Sequence, residues 1–307
     1  MATMLGLEQI RAATERARPH VLRTPLIPVD GTLLKLECLQ PTGSFKVRGF
    51  FAAALAAPRD QLQRGLITVS AGNAAQACAY VANRLGVPCR VVMFDNAPAT
   101  KAEGVRRWGG SIVPMPRDDV LKWMATEGWK DDPEHFIHPF ADPDVMAGHG
   151  GIGLELLEDV PDLARVIVPV GGGGLISGIA SALKGVRPEI EVIGVQSSGY
   201  AMWEAVFKSG GPVAIKPETI ADGTTGPFDP RMFELLKELV DRWVTVPESR
   251  LLTAVPELAA TAKVVAEGAG ALAYAALEQL PAGPTTVAVV SGGNIDQQRL
   301  AGLLAGR

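Results

Sequence analysis

An α/β chain carrying doubly wound parallel sheets is what the sequence predicts, and three observations predict it. Short apolar runs recur along the chain, each run ends in a Gly-rich or polar turn, and each turn opens a segment with helical spacing. Strands alternating with helices of this length imply parallel sheets covered on both faces. The 307 residues exceed the usual single core, so one large domain or two intimate ones is expected. Hydrophobic residues at 47%, with 34 Gly and 23 Pro, read as a compact chain with many short turns.

The elements follow in order. A helical pattern over about residues 7–17 reads as a surface cap on a sheet. Leu66-Ile67-Thr68-Val69 reads as a strand, followed by Ser70-Ala71-Gly72-Asn73 and a helix over 74–85. Residues 90–94 form the next strand and 100–108 the next helix, and 111–114 with 118–126 repeat the unit. Residues 133–149, with Pro133, Pro139 and Pro143, read as a crossing segment between two lobes. The segment also holds His135, His138 and His149; the spacing His135-x-x-His138 reads as ordinary loop histidines rather than a metal site, since two prolines flank it and no further ligand lies nearby. Later come a strand over 165–170, four glycines with a helix over 175–183, and strands over 191–195 and 285–290. No tandem repeat or long linker interrupts this rhythm.

Charge and cysteine usage exclude several classes. A net charge of -4, with scattered Lys and Arg, gives no electrostatic case for nucleic acid or an anionic membrane. Cys38, Cys78 and Cys89 form no C-x-x-C pair, so three buried reduced thiols are expected rather than disulfides or a zinc site. Glu8, Arg11, Glu15 and Arg16 interrupt any apolar leader, and no stretch of about 18 uncharged apolar residues could span a membrane. A cytoplasmic enzyme or binding protein is the expectation.

Four segments carry chemistry. In Pro41-Thr42-Gly43-Ser44-Phe45-Lys46-Val47-Arg48-Gly49, a lysine follows an aromatic residue behind a Gly-Ser turn. Partial desolvation there lowers the lysine pKa and frees the amine to form a Schiff base with an aldehyde. Gly171-Gly172-Gly173-Gly174 follows an apolar strand and opens a helix, which is either a tight turn without a ligand or a site for an anion such as a monophosphate. Neither G-x-G-x-x-G nor a G-K-[ST] ending registers on it. Ser70-Ala71-Gly72-Asn73 could hold a carboxylate on its N–H groups and a phenolic oxygen on the Asn73 amide, or simply cap a helix. Ser291-Gly292-Gly293-Asn294 sits at a strand's carboxyl end, where ligands of doubly wound sheets lie, and the Ser291 hydroxyl can donate to a neutral ring nitrogen. An amine for an aldehyde, a phosphate cradle and partners for a ring oxygen and nitrogen make the inventory for pyridoxal 5'-phosphate.

From Thr24-Pro25-Leu26 to Ser291-Gly292-Gly293-Asn294 the chain resembles the fold type II pyridoxal-phosphate enzymes, in the serine/threonine dehydratase and serine racemase branch. The resemblance implies two tryptophan synthase β-like domains with the cofactor in the cleft between them: residues 1–58 with 138–307, and an inserted 59–137. It implies Lys46 as the Schiff-base lysine, Phe45 packed on the pyridine ring and Asn73 on its phenolic oxygen. Gly171, Gly172, Gly173 and Gly174 would bind the phosphate, and Ser291 would face the ring nitrogen. Ser70, Ala71, Gly72 and Ala74 would receive the substrate carboxylate. Glu267 and Gly223 match positions close to the cofactor, with Gly268 where the family usually has Pro. Lys46 would then remove the α-proton as general base. A serine at the ring nitrogen makes a weaker electron sink than an aspartate and favours prompt loss of a β-hydroxyl, with the phosphate as proton donor.

Departures at the carboxylate loop, at the cation position and after Ser291 separate relatives. Racemases of this group resemble Ser-Ser-Gly-Asn-His at the carboxylate loop, whereas this chain has Ala71, leaving one base and pointing to elimination. Ala74 stands where the family usually has His, which leaves the substrate side chain open. The family's divalent-cation position aligns with Gln196, Tyr200 and Met202, which offer no anionic oxygen, so no magnesium or calcium is expected there, while a monovalent ion held by carbonyls stays open. The regulatory domain of biosynthetic threonine dehydratases is not found after Ser291, so feedback control of that kind is not expected. The expectation is therefore a lyase acting on a β-hydroxy amino acid, L-threonine first and L-serine second, as a homodimer or dimer-based tetramer. A racemase, a synthase of the same fold and a non-catalytic amino-acid- or phosphate-binding protein are the competing readings.

Overall fold

The computed structural model describes residues 4–97 and 99–306. In chain order, α1 (Leu7–Ala17) precedes a hairpin of β1 (Leu26–Val29) and β2 (Thr32–Leu36), and α2 (Lys46–Ala56) begins on the lysine itself. Then come α3 (Arg59–Arg64), β3 (Leu66–Val69), α4 (Asn73–Leu85), β4 (Cys89–Phe94), α5 (Ala99–Arg106), β5 (Ser111–Met115), α6 (Arg117–Ala125) and β6 (His135–Phe136). The chain continues through α7 (Pro143–Asp159), β7 (Arg165–Pro169), α8 (Gly174–Val186), β8 (Glu191–Ser197), α9 (Met202–Ser209) and α10 (Pro230–Leu239). It closes with β9 (Arg242–Val246), α11 (Glu248–Thr261), α12 (Gly268–Ala275), β10 (Thr286–Val290) and α13 (Gln297–Leu304).

The strands form two sheets, ordered β1-β2-β10-β7-β8-β9 and β5-β4-β3-β6. Every pairing is parallel except β1 with β2. The sheets are parallel as expected, with one antiparallel hairpin added at an edge. Its cause is Asp30-Gly31, a two-residue turn with φ of 48° and 80°, whose handedness matches the twist of the strands it joins. β7 and β10 are buried along their whole length, as strands covered on both faces must be.

Two expectations are corrected. The first helix caps other helices rather than a sheet: Ile10, Ala13 and Ala17 bury one face of α1 against α2 and α7. Gly150 and Gly151 of α7 permit this, because a Cβ on them would fall 2.7 Å from Ile10 and 2.9 Å from Thr14. Residues 133–149 are not a mere crossing segment. His135 and Phe136 pair with Leu66 and Ile67 as β6, and α7 starts at Pro143. The Asp142 carboxylate caps that helix, accepting the N–H groups of Asp144 (2.8 Å) and Val145 (3.2 Å), while proline suits the first helical turn, where no N–H is needed.

The lysine helix α2 is buried on nearly all sides, with Val47, Phe50, Phe51 and Ala54 fully inside. A closed group of charges lies beneath it. Arg48 donates to Glu37 (2.8 and 2.9 Å) and to Glu155 (2.7 and 3.0 Å), while Lys35 reaches Glu155 at 2.6 Å. Thr24 Oγ1 (2.6 Å) and Gln40 Nε2 (3.2 Å) donate to the remaining capacity of Glu37. Burial alone would raise the Glu37 carboxyl, but the charge and hydrogen bonds of Arg48 outweigh it, and its pKa falls below the ordinary value. Two cations and two carboxylates balance, so the group survives burial; taking one partner away strands the others. We predict that Arg48→Met lowers the unfolding free energy by about 3–5 kcal/mol, read by urea denaturation. A loss below about 1 kcal/mol would show that the network carries no structural weight.

Candidate active site

The lysine turn is hooked onto the end of β10. Phe45 N–H donates to the Ser291 carbonyl (3.1 Å), Ser44 bridges Gly292, and Gly293 N–H donates to the Gly43 carbonyl (2.9 Å). Asn294 Nδ2 adds a bond to the Thr42 carbonyl at 2.8 Å. Gly43 has φ of 72°, and a Cβ there would press on the Asn294 amide, so glycine is needed on both counts. The hook aims Lys46 Nζ at the Pro139 carbonyl (2.6 Å), 5.0 Å from the Phe45 ring centroid. Burial lowers the Lys46 pKa to about 8. Ser44 Oγ and Thr42 Oγ1, both buried, find no hydrogen-bond partner among the described residues.

The glycine turn lies across from it. Gly173 has φ of 98° and caps α8, whose first N–H groups have no intrahelical acceptor. A Cβ on Gly172 would run into the Phe140 ring, one on Gly174 into the Phe140 carbonyl, and one on Gly171 would fall 3.0 Å from Thr224. The turn therefore presents backbone and no side chains. Trp203 Nε1 donates to the Gly171 carbonyl (2.7 Å) and steadies it. Gln196 in turn holds Trp203: its Oε1 accepts the Trp203 N–H at 2.8 Å, and its Nε2 donates to the Val170 carbonyl at 3.3 Å. Tyr200 donates to the Gly226 carbonyl (3.2 Å) and faces the Met202 sulfur. These three side chains thus shape the glycine turn from behind.

Asn73 opens α4, and its amide is shared. Its Nδ2 donates to Glu267 Oε1 (2.6 Å), while its Oδ1 accepts from Asn294 Nδ2 (2.7 Å), linking it to the lysine turn. Burial raises the Glu267 pKa to about 8. Ser70 Oγ accepts the Gly72 N–H at 3.1 Å, and Ser70, Ala71 and Gly72 remain partly exposed. Ala74 instead packs into the core. Ser291 is buried with its hydroxyl 3.5 Å from the Ala269 carbonyl, and Gly223 packs beside Ala269 and Glu267.

His138 lies in a loop, as expected, whereas His135 falls in β6 and His149 in α7. His138 Nδ1 accepts the N–H groups of Ala141 (2.9 Å) and Phe140 (3.3 Å), which requires a neutral ring. Burial, with the charges of Arg231 and Lys46, lowers its pKa to about 4 against the opposing Asp229. His149 is fully buried in α7, its ring edge-on to Phe45 (centroids 4.7 Å apart), and burial holds its pKa well below the ordinary value. Sequence reasoning missed both, together with Phe140 and the Arg48 network. Only Asp142-Pro143, a helix start, carried a local signal. Cys38, Cys78 and Cys89 are free and buried, as expected.

Comparison with known proteins gives concordant results. A family model described as "Pyridoxal-phosphate dependent enzyme" matches residues 17–292. The chain is 40% identical to the L-threonine ammonia-lyase of Thermotoga maritima, over 95% of this chain and 76% of that protein. It is 37% identical to a catabolic L-threonine dehydratase of Staphylococcus aureus, over 99% and 93% of the two chains. Among solved structures, a threonine deaminase from T.th. superposes with a TM-score of 0.86 at 37% identity, over 95% of this chain and 99% of that one. Maize serine racemase superposes with a TM-score of 0.91 at 30% identity, over 99% and 98%.

The His138 geometry generates a pH prediction. Its folded pKa of about 4 lies below the ordinary 6.5, so the unfolded chain takes up a proton that the folded chain refuses as pH falls between those values. Stability should therefore drop on acidification from pH 6.5 toward 4, by up to about 1.4 kcal/mol per pH unit from this group. His149 adds in the same direction. His138→Asn keeps an acceptor near Nδ1 but cannot titrate. Urea unfolding between about pH 4.5 and 7.5 should show its slope shallower by nearly one proton; an unchanged slope contradicts the assignment.

Proposed function

The chain belongs to the pyridoxal-phosphate-dependent enzymes, and from that premise we propose that it dehydrates and deaminates L-threonine to 2-oxobutanoate and ammonia. L-Serine, giving pyruvate and ammonia, is the second substrate. The observation that carries this reading is a single bonded assembly. The amine of Lys46 is desolvated and fixed by the Pro139 carbonyl, on a turn tied to Ser291, Gly292 and Asn294, with Asn73 tied to the same Asn294.

The residues present suit the cofactor. A glycine turn with no room for side chains, ahead of a helix N-terminus, offers N–H groups to a phosphate. In this reading Gly171, Gly172, Gly173 and Gly174 hold that phosphate, Phe45 lies against the ring, Asn73 bonds the phenolic oxygen and Ser291 meets the ring nitrogen. Glu267 orients Asn73 through the 2.6 Å bond to its amide. When bound, pyridoxal phosphate supplies an aldehyde for an amine and a ring that draws electrons from the substrate's α-carbon. Ser70 and Gly72, at the start of α4, receive the substrate carboxylate beside Ala71. Lys46 Nζ, whose pKa burial lowers to about 8, gives up its proton more readily than an ordinary lysine and takes the α-proton. Ala71 carries no acid or base, so Nζ works alone, which favours elimination over inversion of the α-carbon.

The same reading includes residues 1–58 with 138–307 as the large cofactor-binding domain around 59–137. Strand use supports that division, since β3 to β6 make one sheet and β1, β2 and β7 to β10 the other. It also includes a cytoplasmic homodimer or dimer-based tetramer and no magnesium or calcium at Gln196, Tyr200 and Met202. No described helix is long and apolar enough to cross a membrane.

The test is 2-oxobutanoate release from L-threonine. The native protein should turn over, and Lys46→Ala should lose on the order of 10³-fold or more in kcat. With L-serine, pyruvate should exceed D-serine. Turnover retained by Lys46→Ala, or D-serine as the main product, would sink the reading.

A further inference from the structure

We propose, resting on the threonine-lyase reading above, that Phe140 sets the side-chain specificity of the site: its ring receives the β-methyl group of L-threonine and places that substrate ahead of L-serine. The segment His138-Pro139-Phe140-Ala141 touches both halves of the assembly. The Pro139 carbonyl accepts Lys46 Nζ at 2.6 Å. One residue later, the Phe140 ring lies on Gly172 and the Phe140 carbonyl lies on Gly174, so closely that a Cβ on either glycine would collide. A half-buried aromatic ring therefore lies on the glycine turn, one residue after the carbonyl that holds the lysine amine.

That ring is held rigidly. His138 Nδ1 accepts the Phe140 and Ala141 N–H groups at 3.3 and 2.9 Å, and the His138 ring packs edge-on against it, with centroids 4.6 Å apart at 87°. A substrate whose α-carbon must meet Nζ, and whose hydroxyl leaves toward the glycine turn, sets its β-carbon along the same line. There the ring offers carbon contacts and no hydrogen bond. Threonine presents a methyl group to it and serine a hydrogen. Removing a methyl from such a contact costs about tenfold or more in discrimination.

The experiment compares native holoenzyme with Phe140→Ala and Phe140→Asn in two readouts. The first is kcat/KM for L-threonine and for L-serine. The second, independent of turnover, is calorimetric Kd for L-2-aminobutyrate and L-alanine, which differ by one methyl and carry no leaving group. The native protein should favour the methyl-bearing member about tenfold or more in each pair. Either variant, checked for native circular dichroism, should bring both ratios to within about threefold of one, chiefly through a higher KM for threonine. A folded variant that keeps both native ratios overturns the role of Phe140 while leaving the lyase reading standing. So does a native protein that favours serine. A native protein that turns over neither amino acid overturns the lyase reading itself.

Discussion

The bond from Phe45 N–H to the Ser291 carbonyl, with the Ser44–Gly292 bridge beside it, joins two segments nearly the whole chain apart. β10 can offer that carbonyl only because it is the fully buried third strand of its sheet, with its register to β2 and β7 fixed on both sides. The lysine turn borrows that rigidity. Asn294, next along, then bonds the Thr42 carbonyl and the Asn73 amide. One strand end thus sets where the lysine lies and where the asparagine of the other sheet meets it. Groups that must act on one substrate have to be fixed to each other within fractions of an ångström, and backbone-to-backbone bonding at a buried strand end does this better than side-chain contact.

Two cations two residues apart on α2 meet opposite fates, and the partners explain why. Arg48 is buried against Glu37 and Glu155, and burial, which alone would lower its pKa, is overcome so that it stays charged. Lys46 is offered a carbonyl rather than a carboxylate, and desolvation brings its pKa down to about 8. The same helix therefore carries one permanent charge that anchors it and one amine that can part with its proton. The anchor matters because a lysine poised in this way needs a helix that does not shift as it changes charge.

Much of this was legible in the sequence, and what was not has physical reasons. The apolar runs ending in Ser70-Ala71-Gly72-Asn73, Gly171 to Gly174 and Ser291-Gly292 all become strand ends facing one assembly, because ligand turns of such sheets sit at the carboxyl ends of strands. The edge hairpin went unread although Asp30-Gly31 is a strong turn signal, since its strands are short and partly exposed. Helix α7 was hidden by Pro143 and by Gly148, Gly150, Gly151 and Gly153. These look like breakers, yet they are what lets α1, α2 and α8 approach closely. The Arg48 network and Phe140 could not be read at all. Glu155 lies far along the chain from Arg48, as Gly172 and Gly174 do from Phe140, and only tertiary packing brings each of them to its partner.

Borohydride reduction of the pyridoxal-phosphate-loaded protein, followed by peptide mapping, tests the central claim most directly. The account predicts one cofactor adduct, on the Lys46 side chain within the peptide carrying Ser44-Phe45-Lys46-Val47. An adduct on another lysine, or spread over several, would contradict it.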